Sequence, residues 1–334
     1  MKLKHNIIYL MSFLLFCSII GNGCSRKGEE VVAQEKLELE KENTSQDADT
    51  TGDAATSEEV ELIGEAGDED NSPWKLISES SVNSAVTYAG FVNESVGVTV
   101  GYGGATSYTE DGGKSWSKSS NESACRFGLD LYDESFIVDC GNSSVNLVSK
   151  DKGKSWSYLE KFPTTGSSNT NKFISVIDSN NMYVGDMKSL GVSSDGGATW
   201  KEIQVPENCS KIVGMFFLTP ESGYLFNEDG TLYKTKDACA TWTTETIDLM
   251  GEKIPDSMMP SVTISFQDDD HGMIVYVTKS YQLVCIKTED GGSTWQSISI
   301  PKGTCFTPYL SRDGKYLTLC SVMKKVCLYH LEEE

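Results

Sequence analysis

From residue 74 onward the apolar positions fall into short runs separated by turn residues. The unit is clearest after Trp200. Residues 201–205 make one run, 212–218 an apolar one, and 224–227 and 231–235 two more. Between them stand Pro206, Glu207 and Asn208, then 219–223, then Glu228, Asp229 and Gly230. Runs of this length bounded by Gly, Pro, Asn and Asp predict β-strands. The run 212–218 is the expected inner strand A, with B and C after it and a strand D opening at the next tryptophan. The same division works after Trp116, Trp156 and Trp242, the last with a longer connection over 248–260. After Trp295 only A, B and C are found, at 304–309, 315–322 and 325–331, whereas 74–78 is a lone D-like strand. Pairing that strand with the last three would close a ring and remove an exposed edge.

Between C and D one pattern recurs five times: Ser/Thr-x-Asp-x-Gly-x-Ser/Thr-Trp. Its positions are Thr109, Asp111, Gly113, Ser115 and Trp116; Ser149, Asp151, Gly153, Ser155 and Trp156; and Ser193, Asp195, Gly197, Thr199 and Trp200. Two more follow, at Thr235, Asp237, Cys239, Thr241 and Trp242 and at Thr288, Asp290, Gly292, Thr294 and Trp295. Only Cys239 stands where glycine is expected. An Asp that bonds backbone N–H groups ahead of it, followed by a glycine able to take positive φ, is a turn. The hydroxyl and the indole then resume a strand, so these aspartates read as structural rather than catalytic.

The pattern resembles the Asp box, or BNR repeat, of sialidase-like β-propellers. The six tryptophans, Trp74 included, are spaced 42, 40, 44, 42 and 53 residues apart. A period in the low forties suits a four-stranded blade. The expected fold is therefore all-β, a six-bladed propeller with Asp-box turns over residues 72–334, closed by the strand at Trp74.

Ahead of it, Lys2 and Lys4 precede an apolar run over 7–20 that ends in Gly21, Asn22, Gly23 and Cys24. This reads as a secretory signal over 1–23, too short for a comfortable membrane span. Its end resembles a bacterial lipobox, with Gly21 in place of the usual Leu, which implies lipidation at Cys24; cleavage without lipidation is the alternative. Residues 25–71 carry sixteen acidic and four basic side chains and almost no aromatic ring. Such a segment buries too little apolar surface to offset its ordering entropy, so 24–71 is expected to be a disordered, self-repelling acidic tether. The expected localisation is lipid-anchored at the cell membrane, facing outward.

The net charge of −21 argues against a nucleic-acid partner. Eight cysteines follow Cys24, and in an exported domain they suggest disulfides. Cys125 and Cys140 flank a turn expected near Tyr132 and Asp133, and Cys305 and Cys320 one near Arg312 and Asp313, so these pairs are predicted. Cys209 with Cys239 is a weaker pair. A zinc site lacks any Cys-x-x-Cys, and beyond the cysteines the domain has only His271 and His330. No metal and no cofactor are expected.

The resemblance raises sialidase chemistry, which in that family takes three arginines around the substrate carboxylate. The domain has Arg126 and Arg312 only, the latter in an A–B turn, and the arginine-rich motif ahead of the first box is missing. Asp268, Asp269, Asp270 and His271 fall in another A–B turn and read as solvated. The opposite end of the ring would present Tyr102, Asn142, Asp186, Lys188, Glu228, Asp229, Lys253 and Asp256, with Arg126. Tyr102, Arg126, Asp186 and Glu228 are the ligand-contact candidates. Similar propellers in sortilin-type receptors and photosystem II assembly factors bind partners. The expected function is a monomeric, membrane-tethered, non-catalytic module for a surface protein or glycan. A paired-carboxylate glycoside hydrolase is the alternative.

Overall fold

The computed structural model describes residues 72–82, 86–101, 105–119, 126–141, 146–159, 173–249, 252–255, 261–280, 282–301, 307–321 and 325–332. All lie in the second of two units into which the chain divides, Met1–Val60 and Glu61–Glu334. The signal, Cys24 and the acidic tether fall outside the described residues.

The apolar runs become strands, and the strands form six four-stranded sheets. Blade one is β2 (Val86–Phe91), β3 (Gly97–Gly101), β4 (Thr106–Thr109) and β5 (Ser117–Lys118). Blade two is β6 (Arg126–Asp133), β7 (Phe136–Gly141), β8 (Asn146–Ser149) and β9 (Ser157–Leu159). Blade three is β10 (Phe173–Val176), β11 (Met182–Gly185), β12 (Leu190–Ser193) and β13 (Lys201–Ile203). Blade four is β14 (Ile212–Phe217), β15 (Gly223–Asn227), β16 (Thr231–Thr235) and β17 (Thr243–Thr246). Blade five is β18 (Val262–Phe266), β19 (Gly272–Val277), β20 (Leu283–Thr288) and β21 (Gln296–Ile298). Blade six joins β22 (Thr307–Leu310), β23 (Tyr316–Cys320) and β24 (Lys325–Leu331) to β1 (Trp74–Ser81).

Inner strands such as β2 are buried throughout and outer ones such as β17 are mostly exposed. Each inner strand packs on the next, and β22 packs back on β2, so the sheets form a closed ring. Aromatic rings fill the seams: Tyr183 stacks on Phe217 at 3.5 Å and Tyr224 on Phe266 at 3.7 Å between centroids.

Closure runs through the N-terminal strand, as expected, and is longer than the predicted 74–78. β1 pairs antiparallel with β24 from Trp74 opposite Leu331 to Ser81 opposite Lys325, with a bulge at Ile77. The extension has a cause in the neighbouring blade. Ser78 donates to Gly112 O, and Trp116 Nε1 donates to Ser80 Oγ at 2.9 Å. One strand thus grips blade six through its backbone and the first box through its side chains.

The boxes sit at one end of the ring, the box end, with the A–B turns. In the first, Asp111 Oδ1 accepts Thr109 Oγ1–H at 2.7 Å and Ser115 N–H at 2.9 Å, and Oδ2 accepts Ser115 Oγ–H at 2.6 Å. Thr109 Oγ1 in turn accepts Gly113 N–H at 2.9 Å. The other four repeat the scheme. Each box also latches onto its own A–B turn: Gly112 N–H reaches Ser95 O at 2.9 Å, and Lys152, Gly196, Ala238 and Gly291 make the equivalent bond. That latch puts two consecutive residues at positive φ, for example Gly196 at 70° and Gly197 at 83°. Only the second was legible as a glycine position. At that position a side chain would also strike the preceding blade, since a Cβ on Gly153 would lie 2.5 Å from Val98 Cγ2. Blade four departs most, with Ala238 at 54° and Cys239 at 70°.

The expected cysteine pairs meet a different register. The A–B turn of blade two falls at Glu134 and Ser135, setting Cys140 opposite Gly128. In blade six Thr307 stands opposite Cys320, two residues off the symmetry that would face Cys305 with Cys320. Cys320 is a buried free thiol with its sulfur 3.5 Å from Thr307 O. Cys125, Cys305 and the Cys140 side chain lie outside the described residues. Cys209 and Cys239 are also free thiols. Cys209 lies by Asn227 at the far end of blade four and Cys239 in its box turn. The intervening five-residue strand, about 16 Å long, separates them.

Candidate functional site

The far end is formed by B–C turns and blade-to-blade connections, and of the predicted ligand contacts Asp186 and Glu228 have described side chains there. Asp186 is buried, and its Oδ1 accepts Lys188 N–H and Ser189 N–H, each at 2.8 Å, so the carboxylate shapes its own turn. Glu228, in the next blade, is half-buried and lies 3.7 Å from Lys211 Nζ. Asp229 caps the same turn by accepting Thr231 N–H at 2.9 Å. Arg126 opens β6 opposite Gly141, which places its backbone at the far end. Lys188 and Lys253 are exposed there. Tyr102, Asn142 and Asp256 lie outside the described residues.

The box-end carboxylates behave as structural groups. Hydrogen bonds from Ser115 hold Asp111 down at about 2, and those from Thr199 do the same for Asp195. Asp268 caps its A–B turn by accepting Asp270 N–H at 2.8 Å and His271 N–H at 2.7 Å, and the run through His271 is exposed, as its turn assignment required.

What sequence reasoning missed lies across the central channel. Arg312 has its backbone in the A–B turn of blade six, where it was expected, but its side chain turns inward. Its Nη2 donates to Phe217 O of blade four at 2.8 Å, and the guanidinium lies 4.7 Å from the Phe216 ring centre. Its Nη1 lies 3.6 Å from Asp130 Oδ2 of blade two, an ion pair beyond hydrogen-bond reach. Asp130 Oδ2 also accepts Val176 N–H of blade three at 2.6 Å. Tyr309 of blade six donates its hydroxyl to Asp130 Oδ1 at 3.2 Å and accepts Leu131 N–H at 3.1 Å. Its ring meets Tyr88 of blade one edge-on at 5.9 Å. Room for it comes from Gly90, where a Cβ would lie 2.8 Å from Tyr309 Cδ1 and from Leu131 Cδ1. Burial pushes the Asp130 carboxyl above its usual range, against the pull of Arg312 and of its donors. Burial, and then the Asp130 charge, push the Tyr309 hydroxyl well up.

Beside this network is a cavity to which every blade contributes, among others Tyr88, Asp130, Phe173, Met215, Thr263 and Arg312. The volume it leaves to water is ≈ 40 Å³. That holds about three waters. Asp130 is the one carboxylate among its lining residues. The signal that could have found the network was Asp130 itself, a charge between Leu129 and Leu131 in a strand expected to be inner.

Comparison with known proteins places the fold. Residues 188–327 match the Sortilin-Vps10 family model, described as sortilin, neurotensin receptor 3. That is less than half of the chain. No curated protein sequence matches. Among solved structures, YCF48 bound to D1 peptide is similar at a TM-score of 0.52 and 12% identity, over 78% of this chain and 96% of that one. U3-55K is similar at 0.53 and 10%, over 77% and 98%. The WD40 propeller domain of Doa1 is similar at 0.50 and 13%, over 78% and 98%. At these identities the shared property is the propeller.

Proposed function

We propose that this protein is a non-catalytic binding module, exported and tethered at a membrane surface through Cys24, whose far end engages a surface protein or glycan. The observation that carries the reading is the state of the carboxylates around the channel. Hydrolysis by paired carboxylates needs two free carboxyl groups roughly 5–10 Å apart with room for a sugar ring between them. The channel cavity offers one carboxylate, Asp130, already engaged by Arg312, Tyr309 and Val176. At ≈ 40 Å³ it holds waters rather than a ring. The box aspartates are saturated by their own turns. Propellers of this shape include one solved with a bound peptide, which accords with a polypeptide ligand.

The strand order adds a direction. Trp74 pairs with Leu331, whose N–H bonds Lys315 O in the blade-six A–B turn, so the chain enters the ring at the box end. A tether leading there leaves the far end free for a partner. The test is a panel of immobilised peptides and polysaccharides run beside chromogenic glycosides. Saturable binding without turnover is expected, weakened when Tyr102, Arg126, Lys188 or Glu228 is replaced by Ala. Hydrolysis abolished by one carboxylate substitution would decide for the enzyme.

A further inference from the structure

We infer that Arg312, Asp130 and Tyr309 form a second closure of the ring, a clasp across the channel that acts independently of the N-terminal strand. A propeller closed only at its rim is tied by the outer strand of one blade. Here three residues, through their side chains and the Arg312 carbonyl, touch all six inner strands. Arg312 leaves blade six, crosses to Phe217 O in blade four and faces Asp130 in blade two. Its own carbonyl accepts Ser265 Oγ–H of blade five at 3.0 Å. Asp130 takes Val176 N–H of blade three. Tyr309 packs on Tyr88 of blade one and bonds both Asp130 and Leu131 N–H in blade two.

The physical case rests on what each partner would lose. Phe217 O and Val176 N–H are backbone groups whose partners here come from a different blade, and Leu131 N–H is shared between Tyr309 Oη of blade six at 3.1 Å and the adjacent Asp130 Oδ1 at 3.0 Å. Buried backbone groups without partners are costly, so sliding one inner strand past another would strand several at once. A buried ion pair contributes little net stability yet strongly disfavours arrangements that separate its charges. The clasp therefore specifies register between blades more than it adds stability. A chain segment could not thread the channel while Arg312 spans it, so a partner docks on one end.

Native-state hydrogen exchange on the full chain reads this directly. In Arg312→Met, protection at the Val176 and Leu131 amides is expected to fall by about tenfold or more, with the β1–β24 amides unchanged. Arg312→Lys should restore part of it, since a cation can still face Asp130. Should Arg312→Met not fold, Tyr309→Phe removes only a hydroxyl, leaves Asp130 Oδ1 as an acceptor for the Leu131 amide, and is expected to lower that amide's protection in part. Loss confined to residues 311–316 in the arginine variant, or an unchanged Leu131 amide in Tyr309→Phe, would overturn the clasp. So would equal loss across β1 and β24, which would mean one closure rather than two.

Discussion

Ala238 and Cys239 hold left-handed backbone, at φ 54° and 70°, where three of the other boxes have two glycines. Such a conformation costs a residue with a Cβ about 1–2 kcal/mol. Cys239 is compensated by burial against Tyr183 of the preceding blade, whereas Ala238 is exposed. Ala238→Gly should therefore stabilise the protein by up to about 1 kcal/mol after the entropy of a new glycine is set against it. Chemical denaturation of the two proteins measures it, and a loss of stability would show that the box relaxes around alanine. A second expectation concerns acid. The hydrogen bonds that lower Asp111 from 3.8 to about 2 favour its charged form in the folded state. Its contribution is complete above the unfolded value and is lost as pH falls through the folded one. Asp111→Asn should thus destabilise at pH 7, and the difference from wild type should shrink between about pH 4 and pH 2. An unchanging difference across that range would mean the carboxylate charge does not matter in the turn.

At the scale of elements, β1 is the decisive strand. It buries Trp74 to 3% exposure, pairs along the whole of β24 and ties Ser78 and Ser80 to the first box. Removing residues 25–70 should leave thermal unfolding nearly unchanged. Removal through Ser78 deletes the buried indole and opens an edge, which at about 3 kcal/mol or more corresponds to a drop of roughly 10 °C. Equal melting of both truncations would locate ring closure elsewhere. The strand assignments came through well because each run is short, apolar and bounded by turn residues. Register came through less well. Bulges in the β6–β7 pair shift it within a single hairpin, and a hairpin's symmetry cannot be counted off the cysteines that flank it.

For the whole molecule, the proposed anchoring at Cys24 has a chemical test. Fatty-acid labelling of wild type is expected to be strong and that of Cys24→Ala absent; equal labelling would refute anchoring at Cys24. The ring itself followed from what the sequence repeats. Five Asp boxes, six tryptophans in phase and a missing final D strand determined the blade count and the closing strand, since a repeated local motif needs only its own neighbours to form. The candidate site was legible only in part. Asp186 and Glu228 were placed at the correct end, yet nothing local revealed that the Asp186 carboxylate is consumed by its own turn. Tertiary structure alone decided where Arg312 points. Its turn lies at the box end, but Asp130 and Phe217 stand 182 and 95 residues away in sequence, and only closing the ring brings a cation, a carboxylate and a free carbonyl to one axis.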